Sequence, residues 1–204
     1  MSQQTQGAAP PTSARQLVTP AALALADLAA IFDDLQFVLR CCEQLLTELN
    51  RGEDRDEVLV ESLWVSALGS YARCFRPGER GMGLSKSDLT ATGLKGDVEE
   101  WHALLGKLRD FYVDGVVNPR ETFSVGVSQT DSGDVDGVVI TSAARPQVDE
   151  TTARQTGRLA FELSRVLDER IKVQQKTVFT AARKMSPEAF EDLTPIDVGL
   201  PTQA

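Results

Sequence analysis

The chain has 204 residues, of which 42% are hydrophobic and 25% are charged, and its formal net charge is −9 at pH 7. This length fits one domain with appendages, and the composition is ordinary for a soluble globular protein. The negative charge argues against a general binder of nucleic acid or of anionic membranes, although a local basic surface is compatible with it.

Three cysteines, Cys41, Cys42 and Cys74, do not form an even disulfide framework. All three lie in helical patterns with apolar neighbours, so we expect buried thiols in a reducing compartment. The first residues lack the early positive charge of a secretory signal. The apolar run 21–31 contains Asp27 and is too short to span a bilayer. We therefore expect a cytoplasmic protein without a membrane segment.

The N-terminal part of the chain predicts a tail followed by a long helix. Residues 1–18 are rich in Gln, Ser, Thr and Pro, which predicts disorder. Thr19 and Pro20 then supply an N-cap and a first helical residue. Apolar residues recur every three to four positions until Gly52 ends the pattern.

A second helix is predicted from about Glu53 to Phe75, where Arg76-Pro77-Gly78 breaks it. The segment 76–96 contains five glycines and predicts a long loop with a short helical turn near 87–89. Loops of this length are either functional or flexible padding, and both interpretations stay open.

A third helix is predicted from Asp97, which is an N-cap followed by two glutamates in the first turn. Its apolar stripe runs to Tyr112, and Asp114-Gly115 and Asn118-Pro119 stop it. This helix carries the only histidine of the chain, His102.

The hydrophobic period then changes from 3.6 to 2, which predicts a β-hairpin at about 121–142. Phe123, Val125 and Val127 alternate with small or polar residues, as in a half-buried strand. A lone two-stranded hairpin is marginal in water, so we expect it to pack on the helices or to pair with another subunit.

The last predicted element is a helix at about 149–185, roughly 50 Å long at 1.5 Å per residue. That length exceeds what a small bundle needs, which indicates a partner or a dimer seam. An acidic tail at 186–204 is expected to be flexible. The predicted fold is mainly α: an up-down bundle over 19–185 with a β-hairpin inserted before the long C-terminal helix.

Two motifs carry a resemblance to a known family. One is Tyr71-Ala72-Arg73-Cys74-Phe75 with the turn Pro77-Gly78-Glu79-Arg80, and the other is Leu108-Arg109-Asp110 followed by Asn118-Pro119. Over the middle third of the chain they resemble HEPN-type domains, helical bundles that include many prokaryotic RNases of toxin–antitoxin and phage-defence systems. The resemblance implies a HEPN-like bundle with Arg109 in a groove between the second and third helices, near Arg73.

The sequence departs from the RNase members of that family. These use an arginine followed after four to six residues by a histidine, but Asp114, Gly115 and Val116 occupy the corresponding positions after Arg109. His102 lies almost two turns upstream and does not replace the missing imidazole. Catalysis is therefore doubtful, and its candidate residues are Arg109 and Asp114, acting together with a residue of the glycine-rich loop.

Three arginines, Arg73, Arg80 and Arg109, are the candidate ligand- or RNA-binding residues. The bland alternative for Arg109 is a surface arginine that pairs with Asp110 or Glu121. His102 is most simply a neutral side chain without a catalytic role. One histidine excludes a histidine-based metal site, and no cofactor motif is present.

The long C-terminal helix offers a basic stripe for RNA or for an acidic protein, or an ordinary solvated face of mixed ion pairs. The stripe comprises Arg154, Arg158, Arg165, Lys172, Lys176 and Arg183.

The preferred functional interpretation is a non-catalytic, HEPN-like interaction and oligomerisation module. We expect it to form a homodimer, to have a protein partner, and to be linked to a toxin–antitoxin or phage-defence system. The alternatives are a divergent HEPN ribonuclease and an RNA- or nucleotide-binding bundle.

Overall fold

The computed structural model describes residues 14–76, 78, 80–113, 123–142 and 147–196. The protein is mainly helical, and its described residues also form two small two-stranded antiparallel sheets. In chain order the elements are β1 (Ala14–Arg15), α1 (Pro20–Leu49), α2 (Glu57–Phe75), α3 (Lys86–Ala91), α4 (Val98–Tyr112), β2 (Phe123–Gln129), β3 (Val135–Ser142), α5 (Glu150–Ala182), α6 (Pro187–Glu191) and β4 (Pro195–Ile196).

Side-chain caps determine where the long helices begin. The side chain of Thr19 accepts a hydrogen bond from the backbone N–H of Ala22, and Asp149 does the same for Thr152. Asp56 accepts from two backbone N–H groups at the start of α2. The second helix therefore begins at Glu57, four residues later than the sequence predicts, and Gly52–Asp54 form a 3-10 turn instead.

The long helices pack side by side in an antiparallel arrangement. α1 packs along both α2 and α5, and α4 packs against α2. Gln36 near the middle of α1 donates to Ser164 at 3.2 Å, whereas Gln174 donates to the carbonyl of Ala21 at 2.8 Å. The two helices therefore run in opposite directions. At Gly157 the packing is tight, because a Cβ added there would lie only 3.2 Å from the Cβ of Cys42 on α1.

The core lies between these helices. α1 contributes the centre of it, and α2 and α5 cover its two sides. The three cysteines are buried, as the sequence predicts. The largest fully buried apolar side chains are Ile31, Leu35, Val38, Leu45, Leu68, Leu89, Leu105, Leu159, Leu163 and Leu167.

The two ends of the described chain lie against each other. β1 pairs with β4, and the guanidinium of Arg15 donates to the carbonyl oxygens of Glu191 and Leu193 at 3.1 and 2.7 Å. These bonds, with the short helix α6, give defined structure to residues inside both segments that the sequence assigned to flexible tails. The remainder of each tail lies outside the described residues.

The β-hairpin forms where the sequence predicts it, but its strands are not half-buried. All of β2 and β3 is exposed except Ser128 and Gly137, which are intermediate. In the described part of the chain neither strand makes extensive contact with a helix. The alternation in β2 therefore marks an apolar face that the single chain leaves uncovered.

Candidate functional site

Two of the predicted binding residues meet at one buried carboxylate. Asp34 on α1 accepts hydrogen bonds from Arg73 on α2 and from Arg80 in the following loop. The shortest distances are 2.7 Å from Arg73 Nη2 to Asp34 Oδ1 and 2.8 Å from Arg80 Nη2 to Oδ2. Arg73 also donates to Ser70 at 3.0 Å. We name Asp34, Arg73 and Arg80 the Asp34 cluster.

The Asp34 cluster fastens the glycine-rich loop to α1. Next to Arg80, the backbone N–H of Gly81 donates to the side chain of Asp27 at 2.8 Å, and Leu84 N–H donates to the carbonyl of Cys74 at 2.7 Å. The hydrogen bond from the Arg73 guanidinium to Asp34 raises the pKa of Arg73. The first half of the predicted long loop is therefore tied to the bundle.

Arg109 lies in the last turn of α4 and is buried. His102, Leu105 and Arg109 share one face of α4, because spacings of three and seven residues nearly superpose on a helix. That face packs against α2, where His102 contacts Tyr71. Arg109 also forms an ion pair with its neighbour Asp110.

The predicted trio of arginines is thus only partly brought together. Arg73 and Arg80 share Asp34, whereas Arg109 forms an ion pair with Asp110 on its own helix. Asp114, the other catalytic candidate, lies outside the described residues.

His102 is held in a small aromatic group between α2 and α4. Its Nδ1 atom shares a hydrogen bond of 2.8 Å with the hydroxyl of Tyr71, and its ring lies 4.3 Å from that of Phe75. The pKa of His102 is lowered mainly by burial and further by the positive charge of Lys86, whereas the negative charge of Glu99 acts in the opposite direction. Burial also raises the pKa of Tyr71. The imidazole is therefore neutral at pH 7 and is engaged in packing.

A second buried carboxylate was not singled out from the sequence. Asp88 is 1% exposed and accepts from the backbone N–H and the hydroxyl of Ser85 at 2.7 and 3.0 Å. It also forms an ion pair with Arg170 on α5. The local signal is the spacing Ser85-x-x-Asp88, a capping box, but the partner on α5 is distant in the sequence. This ion pair ties α3 to the long helix.

The stripe of cations along α5 is partly neutralised. Arg154 pairs with Glu150, Arg165 with Glu162, and Lys172 with Asp168, each one helical turn away. These three cations therefore belong to an ordinary solvated helix face with mixed ion pairs, as the second interpretation of the stripe expects. Such ion pairs are weak at exposed positions.

A groove of about 1080 Å³ separates α4 from α5. In the described residues these two helices make no extensive contact with each other, whereas α3 contacts both. The wall on α4 includes Val98, Trp101 and Leu104, and the wall on α5 includes Leu159 and Arg158. The sequence did not predict this groove, because nothing local indicates that two helices are held apart.

Among the described residues, the β-hairpin carries the largest group of exposed large apolar side chains. The register pairs Val125 with Ile140 and Val127 with Val138, so these side chains and Phe123 share one face. They are 58–72% exposed. We name this set, Phe123, Val125, Val127, Val138 and Ile140, the hairpin face.

Within the described ranges, no helix combines the length and apolarity needed to cross a membrane. The same residues contain no cluster of three or more His, Cys, Asp or Glu side chains arranged to hold a metal ion.

The chain matches no protein-family model, no curated protein and no solved structure. The HEPN likeness therefore rests on the sequence motifs alone.

Proposed function

We propose that the protein is a non-catalytic interaction module that forms a homodimer through the hairpin face. The observation that supports this proposal is an exposed apolar sheet face that no helix within the described ranges covers. Isolated two-stranded hairpins are marginal in water, and an exposed face of β-branched and aromatic side chains gains by burial.

The size of the hairpin face is compatible with a second copy. Five large side chains that are 58–72% exposed present on the order of 500 Å² of apolar surface. Two copies would bury roughly 1,000 Å² together, near the lower limit of stable interfaces. We therefore expect reversible association with a dissociation constant in the micromolar range.

The charge of the hairpin favours a protein surface over a polyanion. Residues 123–142 include three aspartates, Asp131, Asp134 and Asp136, and no lysine or arginine. These carboxylates repel nucleic acid and anionic lipid. In a two-fold arrangement of antiparallel hairpins, the acidic tips lie at opposite ends of the interface and do not repel each other.

The test is a matched pair of substitutions on β2. Val125→Asp places a charge on the hairpin face, whereas Ser124→Asp places the same charge on the opposite face of the same strand. We expect light scattering to give a dimer mass for the wild type and for S124D, and a monomer mass for V125D. A wild type that stays monomeric at high micromolar concentration would refute the proposal.

We further propose that the chain is a HEPN-like bundle linked to an RNase, toxin–antitoxin or phage-defence system in the cytoplasm. The support is the pair of motifs around Arg73 and Arg109 and their order in the chain. Because the histidine of the RNase motif is missing, we infer that this chain binds a protein partner in such a system and does not act as the enzyme.

The ribonuclease and nucleotide-binding alternatives depend on Arg109. Replacement by alanine separates them: catalysis predicts lost cleavage, ligand binding predicts lost affinity in an intact fold, and a structural role predicts lost stability. The structural outcome is the one we expect, because Arg109 is buried and forms an ion pair with Asp110.

A further inference from the structure

The groove between α4 and α5 is the open side of the helical bundle. In the described part of the chain α5, α1, α2 and α4 follow one another in space, and α3 contacts both outer helices. The ion pair between Asp88 and Arg170 fastens α3 to α5 five residues beyond Arg165, the last groove residue on that helix. α3 therefore bridges the two helices near one end of the groove, and the residues that follow it, 92–97, line the groove.

The α4 wall of the groove is largely apolar. Val98, Trp101 and Leu104 are spaced three residues apart on α4 and form a stripe along its outer face. Leu104 remains 40% exposed, and Leu159 faces this stripe from α5. A stripe of this kind gains by contact with another apolar helix face.

The rim of the groove is locally positive in a protein of net charge −9. Among the described residues, Lys95, Lys107 and Arg158 line the groove without an ion-pair partner, while Arg165 is bonded to Glu162. Of the acidic lining residues, Asp97 is used as the N-cap of α4. The lining therefore carries four cations and three carboxylates, Asp97, Glu100 and Glu162, which is a net charge of +1, and three of the cations have no ion-pair partner among the described residues.

We propose that this groove binds an acidic amphipathic helix of a partner protein. One turn of helix with its side chains occupies roughly 500 Å³, from a pitch of 5.4 Å and a diameter of 10–12 Å. The groove volume of about 1080 Å³ therefore accommodates about two turns. The apolar side of the incoming helix packs on the Trp101 stripe, and its carboxylates meet Lys95, Lys107 and Arg158.

Nucleic acid fits this groove less well, because the α4 wall is largely apolar and because the carboxylates of Glu100 and Glu162 line the groove. The site is separate from the hairpin face and does not depend on dimer formation. If the protein does form a homodimer, each dimer presents two such grooves.

The probes for the test are two labelled synthetic helical peptides of about five turns, roughly 18 residues each. Both carry leucine on one face, and the other face carries glutamate in the first peptide and lysine in the second. A third probe is a labelled oligouridylate. Fluorescence anisotropy reports binding of each probe to the full chain.

The test variant is the double substitution Lys107→Glu and Arg158→Glu, at two exposed groove positions. Its control is Lys176→Glu with Lys184→Glu, the same change in charge at exposed positions of α5 and the turn after it. We expect the wild type and the control to bind the glutamate peptide. The groove variant loses affinity for it by at least about tenfold and gains affinity for the lysine peptide.

The gain of lysine-peptide binding shows that the groove variant is folded. Equal binding of both peptides by the wild type would overturn the proposal, as would failure of the glutamate peptide to bind. Preferential binding of the oligouridylate would overturn it in favour of an RNA site.

Discussion

Asp34 offers the sharpest test of the structural role assigned to Arg73 and Arg80. Asp34→Asn keeps the size of the side chain but removes the charge that both guanidiniums share. The amide can accept from only one arginine through its oxygen, and its NH₂ group faces the other as a second donor. The cluster then holds two positive charges without a counter-charge.

The magnitude follows from the exposure of the three partners. Removing one partner of a fully buried ion pair costs about 3–5 kcal/mol. In this cluster the side chain of Asp34 is 10% exposed, but those of Arg73 and Arg80 are 59% and 26% exposed. Solvent therefore screens part of the repulsion, and we expect a loss of about 2 kcal/mol in the free energy of unfolding. For a chain of this length that loss lowers Tm by about 4–8 °C.

Asp33→Asn is the matched control, because Asp33 is the exposed neighbour on the same helix. Urea unfolding followed by far-ultraviolet circular dichroism gives both midpoints, and we expect the control to stay within about 0.5 kcal/mol of the wild type. If D34N loses no more free energy of unfolding than D33N, the structural role is refuted. Arg73 and Arg80 would then again be candidate binding residues.

Three further predictions use the same unfolding assay or a thiol probe. The pKa of His102 is lowered from 6.5, first by burial and then by Lys86, so the unfolded chain binds the proton more readily. Stability should fall as pH drops below about 6.5, and His102→Gln should show a smaller fall than the wild type; equal falls would contradict this. Gly106→Ala, in the interior of α4 with open space at Cβ, should stabilise by about 0.5–1 kcal/mol. Gly157→Leu should lower the free energy of unfolding by about 1–3 kcal/mol, because a Cβ at this position would already lie 3.2 Å from the Cβ of Cys42. A Gly157→Leu variant more stable than Gly106→Ala would contradict the packing of α1 on α5. Burial raises the pKa of Cys42 and Cys74 to about 12, so no native thiol should react with Ellman's reagent at about pH 8 until denaturant is added. Rapid labelling of the native protein would contradict this burial.

The helices were predictable because their signals are local. Thr19-Pro20 and Asp97 begin their helices in the structure as the sequence indicates, and apolar residues at helical spacing fill α1 and α5. The start of α2 was misplaced because Glu53 and Asp56 are both plausible helix-start residues. The hydrogen bonds of Asp56 decide between them.

The arrangement of charged residues was not predictable from local patterns. Asp34 joins Arg73 and Arg80 across about 40 positions of sequence, and Asp88 meets Arg170 across more than 80. Each carboxylate belongs to an ordinary helix pattern and becomes distinctive only when distant helices pack. The exposure of the hairpin has a similar reason, since alternation identifies an apolar face but not what covers it.

The most direct test of the self-association claim is amide hydrogen exchange of the wild type at low and at high micromolar concentration. We expect the amides of β2 and β3 to exchange more slowly at the high concentration, because dimer formation covers the hairpin. The exchange rates of amides in α1 and in the first half of α5 should not change. Hairpin amides that exchange equally at both concentrations, or protection that appears only elsewhere, would contradict it.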